Sequence, residues 1–378
     1  MKRVDREKLR FKISAARKRL SRHLRNKRDK LVAKEKFKAN SKPFRVRSYI
    51  SAPEKLDLYD ADNHELFIAF IEKIRSAAAR LKRVYINFQN SYEIHAAAGL
   101  LLVAEVDRLV TNISGLKIRS YFPPKYIRNK LHGSAIVEGA LKQIGFFHII
   151  GQASKASYKL SSIKKWKQLS GHTADGSLAN SLIESMQTSI SPLHKRKLYR
   201  GAIEAIANCV EHAYPTNRRD GLNICDKRWW MLVGVDDERL VIIVCDLGVG
   251  IPVTLPIKNR GGILEFIKSK FNLNADSDGD MILASTYVKR TRTEQEHRGK
   301  GGSDFRTVTK QFPTALLSIR SNRGVFIMSG PQGIILKNKP ERRMVPDTQN
   351  HEAVANRTKS ICGTIIEWHI SLQDLSNE

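Results

Sequence analysis

Apolar residues at the start of the chain recur at spacings of three, four or seven. Leu9, Ile13, Ala16, Leu20, Leu24 and Leu31 make one narrow stripe on a predicted helix otherwise covered in Lys and Arg. Residues 40–43, ending in Pro43, stop it. The pattern then alternates in type. Residues 44–50 read as a strand, 65–81 as an amphipathic helix and 84–88 as a short buried strand. A long helix follows over 95–112, then a strand over 116–122 stopped by Pro123 and Pro124, then a helix over 136–147. Such alternation predicts a small α/β sheet covered by helices across 44–150. Residues 151–181, rich in Ser, Lys and Gly, read as a connector. From 182 to 378 the pattern gives a helix over 196–214, a hairpin over 228–246, a strand over 315–326 and a closing strand over 363–372. The expectation is an α/β protein in four pieces: a basic arm (1–43), an α/β domain (44–150), the connector, and a second α/β domain (182–378).

Composition changes that picture in one respect. With 378 residues, 41% hydrophobic and 27% charged, the chain has the make-up of an ordinary globular protein with two cores. No run of about 18 apolar residues predicts a membrane span, and the start lacks the apolar stretch and cleavage site of a secretory signal. Cys209, Cys225, Cys245 and Cys362 are scattered without a CxxC pair, so a reducing, cytoplasmic setting is expected. Cys209 and Cys245 sit inside apolar patterns and read as buried thiols. The unusual quantity is a net charge of +29, and residues 1–42 hold 18 Lys and Arg against four acids. An excess of that size attracts polyanions, nucleic acid first. The arm lacks interleaved aromatics, so it is expected to touch phosphates without reading sequence. Docking of its stripe on the body or on a partner is the alternative reading.

Two stretches carry the candidate chemistry. In "EAIANCVEHAYP", Glu204, Asn208 and His212 are spaced by four and share a helical stripe, with Ile203, Ile206, Ala207 and Val210 expected on the buried side. In "LVIIVCDLGVGIP", a β-branched strand ends in Asp246, followed by Gly248 and Gly250. Two further stretches are ambiguous. "DSDGD" (276–280) alternates acids, but Met281 stands where a calcium loop needs glycine, so it reads as a polar lid loop. Residues 331–360 read as a basic, Pro-containing insertion.

Taken together and in this order, the two stretches resemble the GHKL ATPases (gyrase, Hsp90, histidine kinases, MutL), and most closely the anti-sigma-factor serine kinases and sensor kinases. The resemblance spans nearly all of 182–378 and implies an α/β sandwich with helices on one face of a mixed sheet. It implies ATP and Mg²⁺ as cofactors. Asn208 would hold the metal, and Glu204 would act as general base or position the water. Asp246 would accept a hydrogen bond from the adenine amino group. Gly248 and Gly250 would let the backbone approach the base and sugar, and His212 would either touch phosphate or cap the stripe. The family's glycine-rich lid is matched by "HRGKGGSDF", so Arg298, Gly299, Lys300, Gly301 and Gly302 would wrap the phosphates, with the usual Gly-Leu-Gly altered. Gly363 and Thr364 match the closing strand.

The stretch "VYINFQNSYEIHAAAGLLLVAEVDRL" resembles STAS domains, the fold of anti-sigma-factor antagonists. In those proteins a phosphorylated serine precedes the Gly-Leu pair, whereas Ala98 stands here, so that switch is absent. The pairing implies a bacterial regulatory protein. Three uses of ATP stay open: a switch that hydrolyses it, a protein serine/threonine kinase, and a non-hydrolysing sensor or scaffold. A protein partner, nucleic acid bound through the arm, no membrane span, and a homodimer all accord with this reading.

Overall fold

The computed structural model describes residues 49–378 apart from 125, 128–129, 155–164, 187–189, 219, 225, 236–237, 259–261, 289–300, 338 and 377–378. The basic arm therefore lies outside the described residues. Residues from Tyr49 onward form one compact unit. Its first half opens with β1 (Tyr49–Ser51) and β2 (Lys55–Leu56), then α1 (Ala61–Arg80), β3 (Arg83–Asn87) and β4 (Glu93–Ile94). Next come α2 (Ala96–Asn112), β5 (Lys117–Tyr121), the short pair β6 (Tyr126–Ile127) and β7 (Lys130–Leu131), α3 (Ser134–Gln143) and α4 (Phe146–Ile149). Asp60 starts α1 by accepting from the N–H groups of Asp62 and Asn63. β1, β3 and β5 form a parallel sheet in the order β1-β3-β5. Val84, Ile86 and Ile118 pack against the buried faces of α1 and α2. The single helix expected over 136–147 is two. Gly145 takes a left-handed φ of 78° between them, which a helix cannot accommodate.

The second half contains β8 (Lys165–Gly171), α5 (Gly176–Glu184), α6 (Pro192–His212), β9 (Trp229–Val235), β10 (Arg239–Asp246), α7 (Ile251–Lys258) and α8 (Gly262–Phe271). It continues through α9 (Asp278–Ser285), α10 (Gly301–Lys310), β11 (Leu316–Ser321), β12 (Gly324–Ser329), β13 (Arg343–Met344), β14 (Glu352–Asn356), β15 (Thr364–Ser371) and α11 (Leu372–Ser376). Eight strands join in the order β13-β14-β12-β11-β15-β10-β9-β8. Every one of these pairings is antiparallel, so the mixed sheet expected from sequence is corrected to an antiparallel one.

Helices cover both faces, where the sequence predicted helices on one. Trp229, Met231, Ile242, Val244, Ile366 and Trp368 point into a core with α5, α6, α9 and α10. The opposite face is not open to water. Trp230, Leu232, Ile243, Cys245 and Ile365 share a core with α1 and α2 of the first half. The unbroken apolar run of β10 is the sequence record of that double burial.

Four stretches differ from the sequence reading. The connector contains β8 and α5, and β8 is the edge of the large sheet. The single strand over 315–326 is a hairpin, turning where Asn322 takes a φ of 52°. The insertion over 331–360 contains β13 and β14, paired into the sheet. The acidic "DSDGD" is also no loop, because Ser277 caps α9 and Asp278 and Asp280 occupy its first turn.

Candidate functional site

Helix α6 begins where Ser191 accepts the N–H of His194 at 3.3 Å and Pro192 takes the first position. Its buried side is Leu198, Ala202, Ala205, Ile206 and Cys209; Ile206 is buried as expected and Val210 packs at the margin, while Ala205 and Cys209 do the packing expected of Ile203 and Ala207. Asn208 and His212 lie at the margin of that side, half-buried, and line a cleft. Glu204 is half-buried but is not among the lining residues. At about 100° per residue, a step of four overshoots a full turn by about 40°, so the stripe rotates and Glu204 points away from where His212 points.

Asp246 ends β10 at the floor of the same cleft. Its carboxylate accepts the Gly248 N–H at 2.9 Å, and the Cys209 thiol lies 3.7 Å from its second oxygen. Thr364, paired with Asp246 across β10 and β15, contributes further hydrogen bonds. Burial pushes this carboxyl up to about 6, and the Gly248, Cys209 and Thr364 donors only partly offset that. Among the described residues, no cation ranks with the groups that most shift its proton affinity. Burial also pushes the Cys209 and Cys245 thiols well up, so both are inert, as expected of core cysteines.

The turn after Asp246 needs its glycines. A Cβ on Gly248 would sit 2.1 Å from the Ala213 carbonyl oxygen, so α6 and the turn touch backbone to backbone. Gly250 has a φ of 85°, and a Cβ there would strike the Asn322 side chain. Asn322 donates from Nδ2 to the Val249 carbonyl at 2.9 Å and from its backbone to the Gly363 carbonyl at 3.1 Å. Ser321 accepts the Ile251 N–H at 2.8 Å and lies 3.0 Å from the Thr364 hydroxyl. Tyr214 accepts the Leu247 N–H at 3.1 Å. The tip of the β11–β12 hairpin and the end of α6 thus clamp the turn from two sides.

The cleft has an empty volume of about 740 Å³, its open mouth included. Asn208, His212, Asp246, Gly250 and Thr364 line it together. Gly248 supports its floor, and Gly301 and Gly302 begin α10, whose Phe305 lines one wall. Arg298, Gly299 and Lys300 lie outside the described residues. Sequence reasoning missed Thr254, Ser285 and Phe305 in the walls and Ser321, Asn322 and Tyr214 behind them. The Asn-x-Gly of "SNRG" was the one available signal, because it marks a tight hairpin turn.

A second buried polar cluster joins the two halves. Glu105 of α2 accepts both Nη2 contacts of Arg218 at 2.7 and 2.8 Å and also pairs with Arg75. Arg218 bonds Asp220 at 2.7 Å and the Cys362 carbonyl at 2.6 Å, and Arg108 pairs with Asp220 at 2.6 Å. Arg218 follows α6 and Cys362 precedes Thr364, so this cluster adjoins two of the chain segments that line the cleft. Among the described residues no helix is long and apolar enough to cross a membrane, and no group of three or more His, Cys, Asp or Glu could hold a metal. Comparisons with protein-family models, curated proteins and solved structures find no match for this chain.

Proposed function

We propose that the cleft binds ATP with Mg²⁺ and that the chain is a GHKL-type protein, an ATPase switch acting on a protein partner or a nucleic-acid complex. One observation carries this reading: Asn208, His212, Asp246, Gly250 and Thr364, from three segments far apart in the sequence, line one cleft. The donor set fits the nucleotide. Asp246 offers a buried acceptor whose main partners among the described residues are neutral donors, which suits the adenine amino group and repels the guanine carbonyl. Leu255, Val288 and Ile366 supply apolar wall for a base. Asn208 offers a hard neutral oxygen suited to Mg²⁺. The bound metal would neutralise phosphate charge, while Asn208 holds it and Asp246 fixes the base. Arg298, Gly299 and Lys300 are assigned to the phosphates by the resemblance alone.

The switch is favoured over a kinase acting on its own first half. The parallel β1-β3-β5 unit supports a STAS-like assignment for that half, but Ala98, at the position of the antagonists' serine, is fully buried in α2. The Glu105–Arg218 cluster gives a path from that half to two of the segments that line the cleft. Calorimetric titration with ATP and Mg²⁺ tests the site. Wild type binds, Asp246→Ala abolishes binding, and Asn208→Ala loses the magnesium dependence. Phosphate release without phosphoprotein then supports the switch, labelled protein supports the kinase, and binding without turnover supports a sensor. Absence of binding by wild type refutes the nucleotide reading.

A further inference from the structure

Parallel sheets are ordinarily covered on both faces. Among the described residues, the helices α1 and α2 cover the β1-β3-β5 sheet on the Val84, Ile86 and Ile118 side alone. Register places Tyr49, Tyr85 and Arg119 in one row across its other face, Arg83 and Lys117 in the row before, and Ser51, Asn87 and Tyr121 in the row after. Tyr49 and Tyr121 are 46% and 45% exposed, which is unusual for large rings on a sheet. Tyr49 makes an edge contact with Tyr85 at 5.7 Å between centroids and a tilted contact with Tyr121 at 6.3 Å. Arg83, Lys117 and Arg119 are exposed beside them, and none of the three strands carries an acid. Arg119 donates to the Gly151 carbonyl at 2.9 Å, which fixes its stem along the edge of the face.

We infer that this face binds single-stranded nucleic acid, with Tyr49 and Tyr121 stacking on bases and Arg83, Lys117 and Arg119 meeting phosphates. Rings for bases and cations for the backbone, side by side on an open sheet, are the two parts such a platform needs. Duplex bases are already stacked on each other and cannot use the rings. The sign of the charge also argues against the chain's own arm as the occupant, because residues 1–42 carry a local excess of 14 positive charges.

The test is fluorescence anisotropy with the full chain, using labelled oligothymidylate and oligouridylate against a duplex of equal length. Tyr49→Ala combined with Tyr121→Ala weakens single-strand binding by about tenfold or more and duplex binding by less than about twofold. The arm contributes to both strands alike, so the difference isolates the face. Tyr49→Phe with Tyr121→Phe keeps the rings and retains the affinity. If the alanine pair fails the check of circular dichroism, Arg83→Glu with Lys117→Glu carries the test. That pair lowers single-strand affinity by about tenfold and flattens its dependence on salt. Equal loss on both strand types, or no loss, overturns the inference. A fall in solution mass on Tyr49→Ala with nucleic-acid affinity unchanged also overturns it, and marks the face as a contact between copies.

Discussion

Glu105 and Asp246 are both buried carboxylates, yet they hold opposite relations to the proton. Burial alone would raise each. Around Glu105, the guanidinium groups of Arg218, Arg75 and Arg108 overcome it and hold the carboxyl below its ordinary range. Around Asp246 mainly an N–H, a thiol and Thr364 answer the burial, and the carboxyl rises to about 6. The difference lies in the cations, since both are buried. A buried charge that its surroundings complete is a fixed part of the frame. One met mainly by neutral donors, on the floor of a cleft, keeps acceptor capacity that a ligand can use.

Removing Glu105 is the harshest way to break that contrast. Glu105→Gln leaves Arg75, Arg108 and Arg218 buried with Asp220 as the remaining acid. Stranding one side of a buried ion network costs about 3–5 kcal/mol. Chemical denaturation should show that loss at unchanged m-value. A loss below about 1 kcal/mol would mean the arginines re-pair without Glu105, and the frame would not depend on it.

Asp246→Asn should act with the opposite sign on stability. The folded carboxyl keeps its proton up to about 6, while the unfolded one releases it near the ordinary value of 3.8. Between those values the folded state binds the extra proton, so stability falls as pH rises through the window. The cost is complete above pH 6 and amounts to something on the order of 3 kcal/mol. Asparagine carries no such cost, so the variant should gain stability over wild type at neutral pH and show no gain at about pH 4. ATP affinity in the wild type should rise with pH through about 6, as Asp246 ionises, and asparagine should abolish that rise. Denaturation midpoints and titrations across the window check both. A variant less stable than wild type at neutral pH would show that the carboxylate serves the frame after all.

The contrast itself was only half legible in the sequence. Asp246 could be found because the apolar run of β10 ends in it and a Gly-x-Gly follows. Asn208 could be found because α6 shows its period. Glu105 and Arg218 are 113 positions apart, and nothing in a periodic pattern links them. The edge strand β8 was hidden because its sequence, KWKQLSG, buries little beyond Trp166. β14 was hidden because its EAVAN begins with a buried Glu352 that Arg306 neutralises. Strand direction was misread for a related reason: an apolar run records burial on two faces but not which way its neighbours point. Rotation of the stripe along α6, which takes Glu204 out of the cleft lining, follows from helix geometry, so the sequence alone could have corrected that miss, as the Asn-x-Gly of "SNRG" could have corrected the missed hairpin.

The mildest test separates the two regions along a single strand. On β15, Thr364 and Ile366 line the cleft, while Ile365 and Glu367 face the first half of the chain. Tyr59 reaches across to donate to Glu367, with the Arg320 guanidinium 4.6 Å from its ring centroid. Burial opposes the Glu367 charge, but His369, Arg320 and Tyr59 bring its carboxyl down to about 2. Tyr59→Phe keeps the ring under Arg320 and deletes one donor. A hydrogen bond to a charged acceptor contributes about 1.5–3 kcal/mol. His369 at 3.0 Å and Arg320 at 3.3 Å stay in place, so the loss should fall at the lower end. ATP affinity should not move, because the deleted hydroxyl is on the opposite face of β15 from Ile366. A shift in affinity alongside the loss of stability would mean that the strand transmits between its faces, and that the frame and the cleft act as one cooperative element.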